Sequence, residues 1–452
     1  MRKHVTILII SLMCVCCNKK LDVTPANALT PSQIQTEEDV FALLFGGYST
    51  LQNANAFGEM YNTLPELIIS DDDLNWAGTF SDYDDVFNRN QIANNFTIYQ
   101  VWANGYHTIN IANTVLSKLD VVAEDKRDLV SGEAKFLRGV VYFQLVNLFA
   151  QPYSSVNAAT SPGVPLILEP VEGYDPQRDQ LTRASVEEIY TQVISDLDEA
   201  VNNLPDEADN ARASRFSAAA FLSRVHLMQE NYAEAAQNAN EVIESGAFSL
   251  ASSFDKAFNN PSNSSEDVFA IQQTSQSNSG TSNFGIITFS AAYPVGRGEM
   301  QVTEEHLQKY EVNDVRGQFF YEGSSISGSQ GLMTAKWSQP YSVIPVIRLA
   351  EMYLTRAEAN FRLGTELGAS PLEDVNVIRT RSELTPLSSI TTVDQIIGER
   401  FLELAFEGDK FLTSKRLRLT VRGLPYNDAK LVFPIPQREI DLNNATPQNP
   451  GY

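Results

Sequence analysis

Residues 216–229 (FSAAAFLSRVHLMQ) and 232–245 (YAEAAQNANEVIES) form the stretch on which the fold turns. Both halves carry apolar residues at three- and four-residue spacing, the period of a helix with one buried face. Only Glu230 and Asn231 lie between them, so the second helix must fold straight back on the first. Alanine occupies the facing positions (Ala219, Ala220, Ala235, Ala236 and Ala239), which lets two helix axes approach closely.

With Tyr232 opening its second helix, this pair resembles a tetratricopeptide hairpin. The same pattern recurs along the chain. Arg348–Leu363 with Leu372–Glu383 makes a second alanine-bearing pair through Ala350, Ala357 and Ala359. Upstream, Ile98, Trp102, Ile109, Val115, Leu116 and Leu119 share a helical stripe, which places Trp102 in the core. Residues 128–149 and 185–203 repeat the pattern, the latter opening on a capping-box spacing, Ser185 with Glu188. The expected fold is mainly α: irregular helix pairs stacked in one domain over about residues 37–452. Between about 246 and 345, Ser, Asn and Gly become frequent and short β-prone runs occur (Val268–Gln272, Phe284–Phe289). This segment reads as a loop-rich, partly β insertion lying over the helices.

The 452 residues carry 33 Lys plus Arg against 56 Asp plus Glu, a formal charge of −23. Such a field repels phosphate backbones and anionic headgroups, so nucleic acid is excluded as a partner by bulk charge, while neutral sugars or peptides stay open. All three cysteines (Cys14, Cys16 and Cys17) fall in the first 17 residues, which leaves the body without disulfides, thiolate metal sites or a thiol nucleophile. Arg2, Lys3 and His4 precede the apolar run Val5–Val15, a pattern of signal-peptide length that is too short to span a bilayer. Polar Asn18, Lys19 and Lys20 follow Cys17, as at a bacterial lipoprotein cleavage site. Residues 1–16 are therefore expected to be removed and Cys17 to carry lipid. Residues 17–36, with Pro25 and Pro31 and no apolar period, would be a tether.

Several separated blocks resemble one family. They are Cys17-Asn-Lys-Lys-Leu-Asp22 with Pro25; Arg348-Leu-Ala-Glu-Met-Tyr-Leu-Thr-Arg-Ala-Glu-Ala359; Asn376-Val-Ile-Arg-Thr-Arg381; Glu399-Arg400; Glu403-Leu404; and Phe406-Glu-Gly408. The chain closes on Phe433-Pro-Ile-Pro-Gln-Arg-Glu439, Asn443-Asn444 and Gln448-Asn-Pro-Gly-Tyr452. Together, and in this order, they resemble the SusD/RagB family of outer-membrane lipoproteins. Asp409–Lys415 departs from the family's usual basic–aromatic–Asp-Leu continuation. The resemblance implies tetratricopeptide-like helix pairs supporting variable loops. It also implies a lipid-anchored protein on the cell exterior that delivers oligosaccharide, or peptide in the RagB branch, to a SusC-like TonB-dependent transporter.

Candidate ligand contacts follow from side-chain chemistry. Trp76, Phe80 and Tyr83 lie among Gly78, Ser81 and aspartates without buried periodicity. Exposed rings offer flat apolar faces to a sugar ring, while Asp73 and Asn75 could bond its hydroxyls. Tyr293, in the Gly/Pro-rich Tyr293–Gly298, and Trp337, ahead of Pro340, are further platforms by the same logic. The alternative for each is a ring packed inward. Asp71, Asp73, Asn75 and Asp82 have the offsets of a calcium loop, but Trp76 stands where that loop needs glycine, so no metal is assigned. Neither a cofactor nor a catalytic residue is assigned. The mature histidines, His107, His226 and His306, are isolated, and HExxH, GxSxG and P-loop motifs are missing. A surface glycoside hydrolase remains an alternative, because 56 acids supply carboxylate pairs in plenty without distinguishing any.

Overall fold

A computed structural model describes residues 31–155, 157–173, 175, 180–207, 211–280 and 286–452. Cys17 and the proposed leader and most of the tether lie outside the described residues.

Fifteen α-helices and six short strands are present among the described residues. In chain order the helices that frame the site are α1 (Glu37–Gln52), α2 (Met60–Ile69), α3 (Ser81–Asn88) and α4 (Phe96–Leu116). Then come α5 (Arg127–Phe149), α6 (Val186–Asn203), α7 (Arg215–Met228) and α8 (Tyr232–Glu244). Successive helices pack as antiparallel neighbours: α4 on α5, α5 on α6, α6 on α7, and α7 on α8. Ser185 caps α6 with Glu188 returning the bond, as its spacing predicts. The alanine faces of α7 and α8 are fully buried, which leaves room for close contact between their axes.

Two single-turn helices, α9 (Ile287–Ser290) and α10 (Glu304–Leu307), belong to the insertion. The stack resumes with α11 (Leu349–Leu363), which packs on α8, α12 (Pro371–Arg381) and α13 (Val393–Glu403). Helices α14 (Asp409–Arg416) and α15 (Gln437–Leu442) complete the set. The main apolar cluster runs from Ile34 to Ile435 and takes in Trp102, with smaller clusters around Phe254, Leu354 and Ile396. The mainly α class with helix pairs and a partly β insertion matches the sequence reading.

The β content corrects that reading in detail. Strand β1 (Leu74–Trp76) comes from outside the insertion and pairs antiparallel with β3 (Met300–Val302), Trp76 opposite Met300. Strands β4 (Phe320–Ser324) and β5 (Gln330–Thr334) finish this sheet in the order β1-β3-β5-β4. Strand β2 (Asp267–Ile271) pairs separately with β6 (Ile344–Arg348). The run expected as a strand at 284–289 lies partly outside the described residues, and Ile287–Ser290 is a helical turn instead.

The family-like blocks around 348–408 form the joint between helices and insertion. Arg348, fully buried, bonds Glu266 at 2.8 Å, Glu403 at 3.0 Å and Glu407 at 2.7 Å. Arg381 pairs with both Glu266 and Glu403. Arg316 meets Asp314 at 2.7 Å and Glu399 at 2.6 Å, and Lys336 meets Glu407 at 2.6 Å. Each buried charge here has an opposite partner and hydrogen bonds, the condition under which burial is tolerable. The C-terminal block is equally tied down: Asn449 donates to the carbonyls of Phe149 and Phe433, and Tyr452 donates to that of Val432.

Candidate functional site

Beside the β1–β3 edge lies an open groove of about 600 Å³. Phe80 lines one wall with Asp82 and Tyr83, Phe96 enters at the start of α4, and Tyr293, Val295, Arg297 and Ile326 come from the insertion. Large apolar side chains here remain open to water: Phe80 is 46% exposed, Phe96 63% and Tyr293 56%. Exposed rings gathered around one concavity, rather than scattered singly, mark a binding surface.

Strand alternation supplies the floor. In β1, Leu74 points into the core, Asn75 to solvent, and Trp76 back toward the interior. The Trp76 indole stacks on Tyr83 with centroids 5.5 Å apart and meets the edge of Phe289 at 5.3 Å. Tyr83 and Phe289 approach to 4.6 Å, and Phe80 contacts both at about 6 Å. Gly78 is required by this packing: a β-carbon there would lie 2.2 Å from Cζ2 of Trp76.

The polar groups are few and fixed. Asp82 accepts from the amide of Thr97 at 3.0 Å and its hydroxyl at 3.1 Å. Arg297 donates through Nε and Nη2 to the two carboxylate oxygens of buried Glu299, at 2.7 and 2.8 Å. Its guanidinium also lies over the Phe80 ring, 4.6 Å from the centroid. The Glu299 bonds, offset in part by burial, raise the Arg297 pKa, so it stays a cation. Burial, reinforced by the nearby Glu59 carboxyl, pushes the Tyr83 hydroxyl far above its usual range, so it stays neutral. Flat apolar faces edged by one anion and one cation suit a ligand with alternating apolar and hydroxylated surfaces.

The structure brings together Phe80, Tyr83 and Tyr293 in the groove, with Trp76 beneath it. It separates the rest. Asp73 is buried at the far end of β1, its carboxylate 2.7 Å from Lys410, and lines a different cavity of about 300 Å³. Asn75 is exposed on the opposite side of β1 from Trp76. Trp337 corrects the expectation of a stacking platform: it is 3% exposed, and its indole N–H donates to the Phe406 carbonyl at 3.0 Å. A loop-like local sequence hid that anchor, because its partner lies 69 residues downstream. The spacing of Asp73 and Asp82 as calcium ligands is likewise spent on other bonds, to Lys410 and Thr97.

Phe96, Phe289, Val295, Arg297 and Ile326 were not anticipated. A readable signal existed for one: Arg297 and Glu299 stand two apart, as residues sharing a face of extended chain do. Another cavity, about 440 Å³, lies along α4 and α15. Among the described residues its rings are already engaged, Trp102 in the core and Tyr106 through a 2.8 Å bond to the Pro165 carbonyl.

Helix pairs carrying a small sheet and an aromatic-lined surface groove define a binding scaffold as the class of protein. Comparison with known proteins narrows it. A family model described as starch-binding associating with outer membrane matches residues 19–227, and the SusD family model matches residues 325–419. SusD-like protein P2 of Formosa agariphila is 27% identical over 523 residues, covering 100% of both chains. The starch-binding protein SusD of Bacteroides thetaiotaomicron is 32% identical over 156 residues, 28% of this chain and 27% of that one. A crystal structure of a SusD superfamily protein from Bacteroides thetaiotaomicron superposes with a TM-score of 0.82 at 25% identity, covering 92% of this chain and 100% of that chain. The chain belongs to the SusD/RagB family.

Proposed function

We propose that this chain is a surface lipoprotein, lipidated at Cys17 after removal of residues 1–16, that captures a neutral oligo- or polysaccharide without catalysis. It would deliver that glycan to a SusC-like TonB-dependent transporter at the outer membrane. The carrying observation is the set of half-open rings of Phe80, Phe96 and Tyr293 around one groove. A pyranose presents C–H faces that stack on such rings while its hydroxyls bond the groove's polar rim. The names of the starch-binding relatives support a glycan as the ligand. Among the described residues that line the groove, Asp82 is the single carboxylate, whereas glycoside hydrolysis needs two flanking the bond. That supports capture over cleavage. No helix among the described residues is long and apolar enough to cross a membrane, which accords with anchoring by lipid.

Calorimetric titration of the chain from Asn18 onward with neutral glycans (starch, β-glucan, fructan, xylan), an acidic glycan and mixed peptides tests this reading. Saturable binding to a neutral glycan is expected, without release of reducing ends, and weaker by roughly ten- to hundredfold in the double variant Phe80→Ala/Tyr293→Ala, at about 1 kcal/mol per platform. Binding of peptides alone would move the chain to the peptide branch of its family. Release of sugar would overturn the non-catalytic reading.

A further inference from the structure

We propose that Arg297 is a positioning residue that holds the Phe80 ring as a preorganised platform; the proposal rests on the groove being the ligand site. Phe80 precedes α3, whose N-terminus has no side-chain cap, and it is nearly half exposed. Its aromatic neighbours touch it only edgewise, Tyr83 at 6.0 Å and Phe289 at 6.1 Å. Those contacts leave the ring free to swing. The Arg297 guanidinium, 4.6 Å from the centroid, closes one face.

The guanidinium is itself immobile. A planar fork bonded twice to one carboxylate has a fixed orientation, which a lysine ammonium would lack. Glu299 supplies the fixed end: it is fully buried, its amide donates to the Phe289 carbonyl at 2.9 Å, and its carbonyl accepts from Ala77 at 2.7 Å. The main chain of Arg297 adds two ties, donating to Thr288 at 2.6 Å and accepting from Ile326 at 2.8 Å. One residue thus joins three parts of the rim, and only its side chain reaches Phe80. A ring held in place before binding loses less freedom when a sugar stacks on it.

The test has two arms. In the ligand-free protein, acrylamide quenching of tryptophan emission reports on Trp76, because Trp102 and Trp337 are each 3% exposed. Arg297→Ala should increase quenching as Phe80 leaves its place over the groove floor. In the second arm, Arg297→Ala should weaken the glycan selected by the panel roughly three- to thirtyfold, the range of a cation–π contact. The double variant with Phe80→Ala should bind no more than about twofold weaker than Phe80→Ala alone, because both losses act through one ring. Arg297→Lys keeps a charge beside Glu299 without the fork and should fall between; it serves if the alanine variant fails to fold. Unchanged quenching, or losses that multiply in the double variant, would overturn the proposal. If the wild type binds nothing in the panel, the capture reading falls, and the quenching arm alone decides whether Arg297 places Phe80.

Discussion

Gly78→Ala should displace Trp76 and loosen the groove floor. A methyl at position 78 would lie 2.2, 2.6 and 2.8 Å from three indole carbons, so the rigid ring must leave its place. Leaving it breaks the stack on Tyr83 and the edge contact with Phe289. At about 0.5–1.5 kcal/mol per aromatic pair, the loss is roughly 1–3 kcal/mol. Position 78 has no positive φ, so alanine also stiffens the unfolded chain and returns about 0.4–1 kcal/mol. Destabilisation of about 1–2 kcal/mol therefore remains. Urea unfolding followed by tryptophan emission measures it, and near-UV circular dichroism should lose the signal of a packed indole. Gly398→Ala is the control, since a methyl there meets nothing within 4 Å and the site lies inside α13; it should be neutral or slightly stabilising. A Gly78→Ala protein with wild-type stability and an unchanged near-UV spectrum would refute the packing of Trp76 on Gly78.

Other predictions concern buried charge. Burial raises the Glu403 carboxyl, but Arg381, Arg348 and Arg316 more than reverse this and hold it below the usual range. Its contribution is therefore complete above its unfolded pKa of about 4.3 and lost as pH falls below that, so thermal melts should weaken below pH 4. Glu403→Gln should cost on the order of 3–5 kcal/mol in urea melts at pH 7, because it leaves buried arginines short of a partner. Glu66 behaves oppositely: burial, then the charge of Asp73, raises it to about 7. The wild type should weaken as pH climbs from about 4 through 7, and Glu66→Gln should gain on it at pH 8 but not at pH 4. Burial alone lowers the Lys415 ammonium to about 7, so folding should strengthen between pH 7 and about 10. Lys415→Met should show its largest advantage in melts below pH 7, shrinking above.

The helix pairs were legible because long amphipathic segments repeat their signal over several turns, and the Ser185–Glu188 cap was legible because it is local. The sheet was not. Strands β1 and β3 are three residues each, too short for a two-residue alternation to register, and β1 lies in an acidic stretch that reads as loop. The same contrast divides the site. Phe80, Tyr83 and Tyr293 stood out as aromatics amid polar residues and glycines. Phe96 was absorbed into the start of a helix, and Trp337 was misjudged because its burial depends on Phe406, far along the chain. Arg297 shows what single residues conceal, since its significance lies in three rim segments that only tertiary folding brings together.

The ionic joint between insertion and helices has a consequence for engineering. Apolar surfaces tolerate sliding, whereas a forked arginine bond accepts one alignment. Glu266, Arg316 and Lys336 pin the insertion to Arg348, Glu399 and Glu407 at three separated points of the chain. Rim segments between those pins, such as the exposed Ser327–Ser329 tip of the turn closed by the 2.7 Å bond from the buried Ser325 amide, are expected to accept replacement without shifting the floor beneath them. Ser325 is to be kept, as is Ile326, whose amide bonds the Arg297 carbonyl. The protein then becomes a chassis on which new ligand preferences can be grafted by exchanging loops while the pins stay untouched.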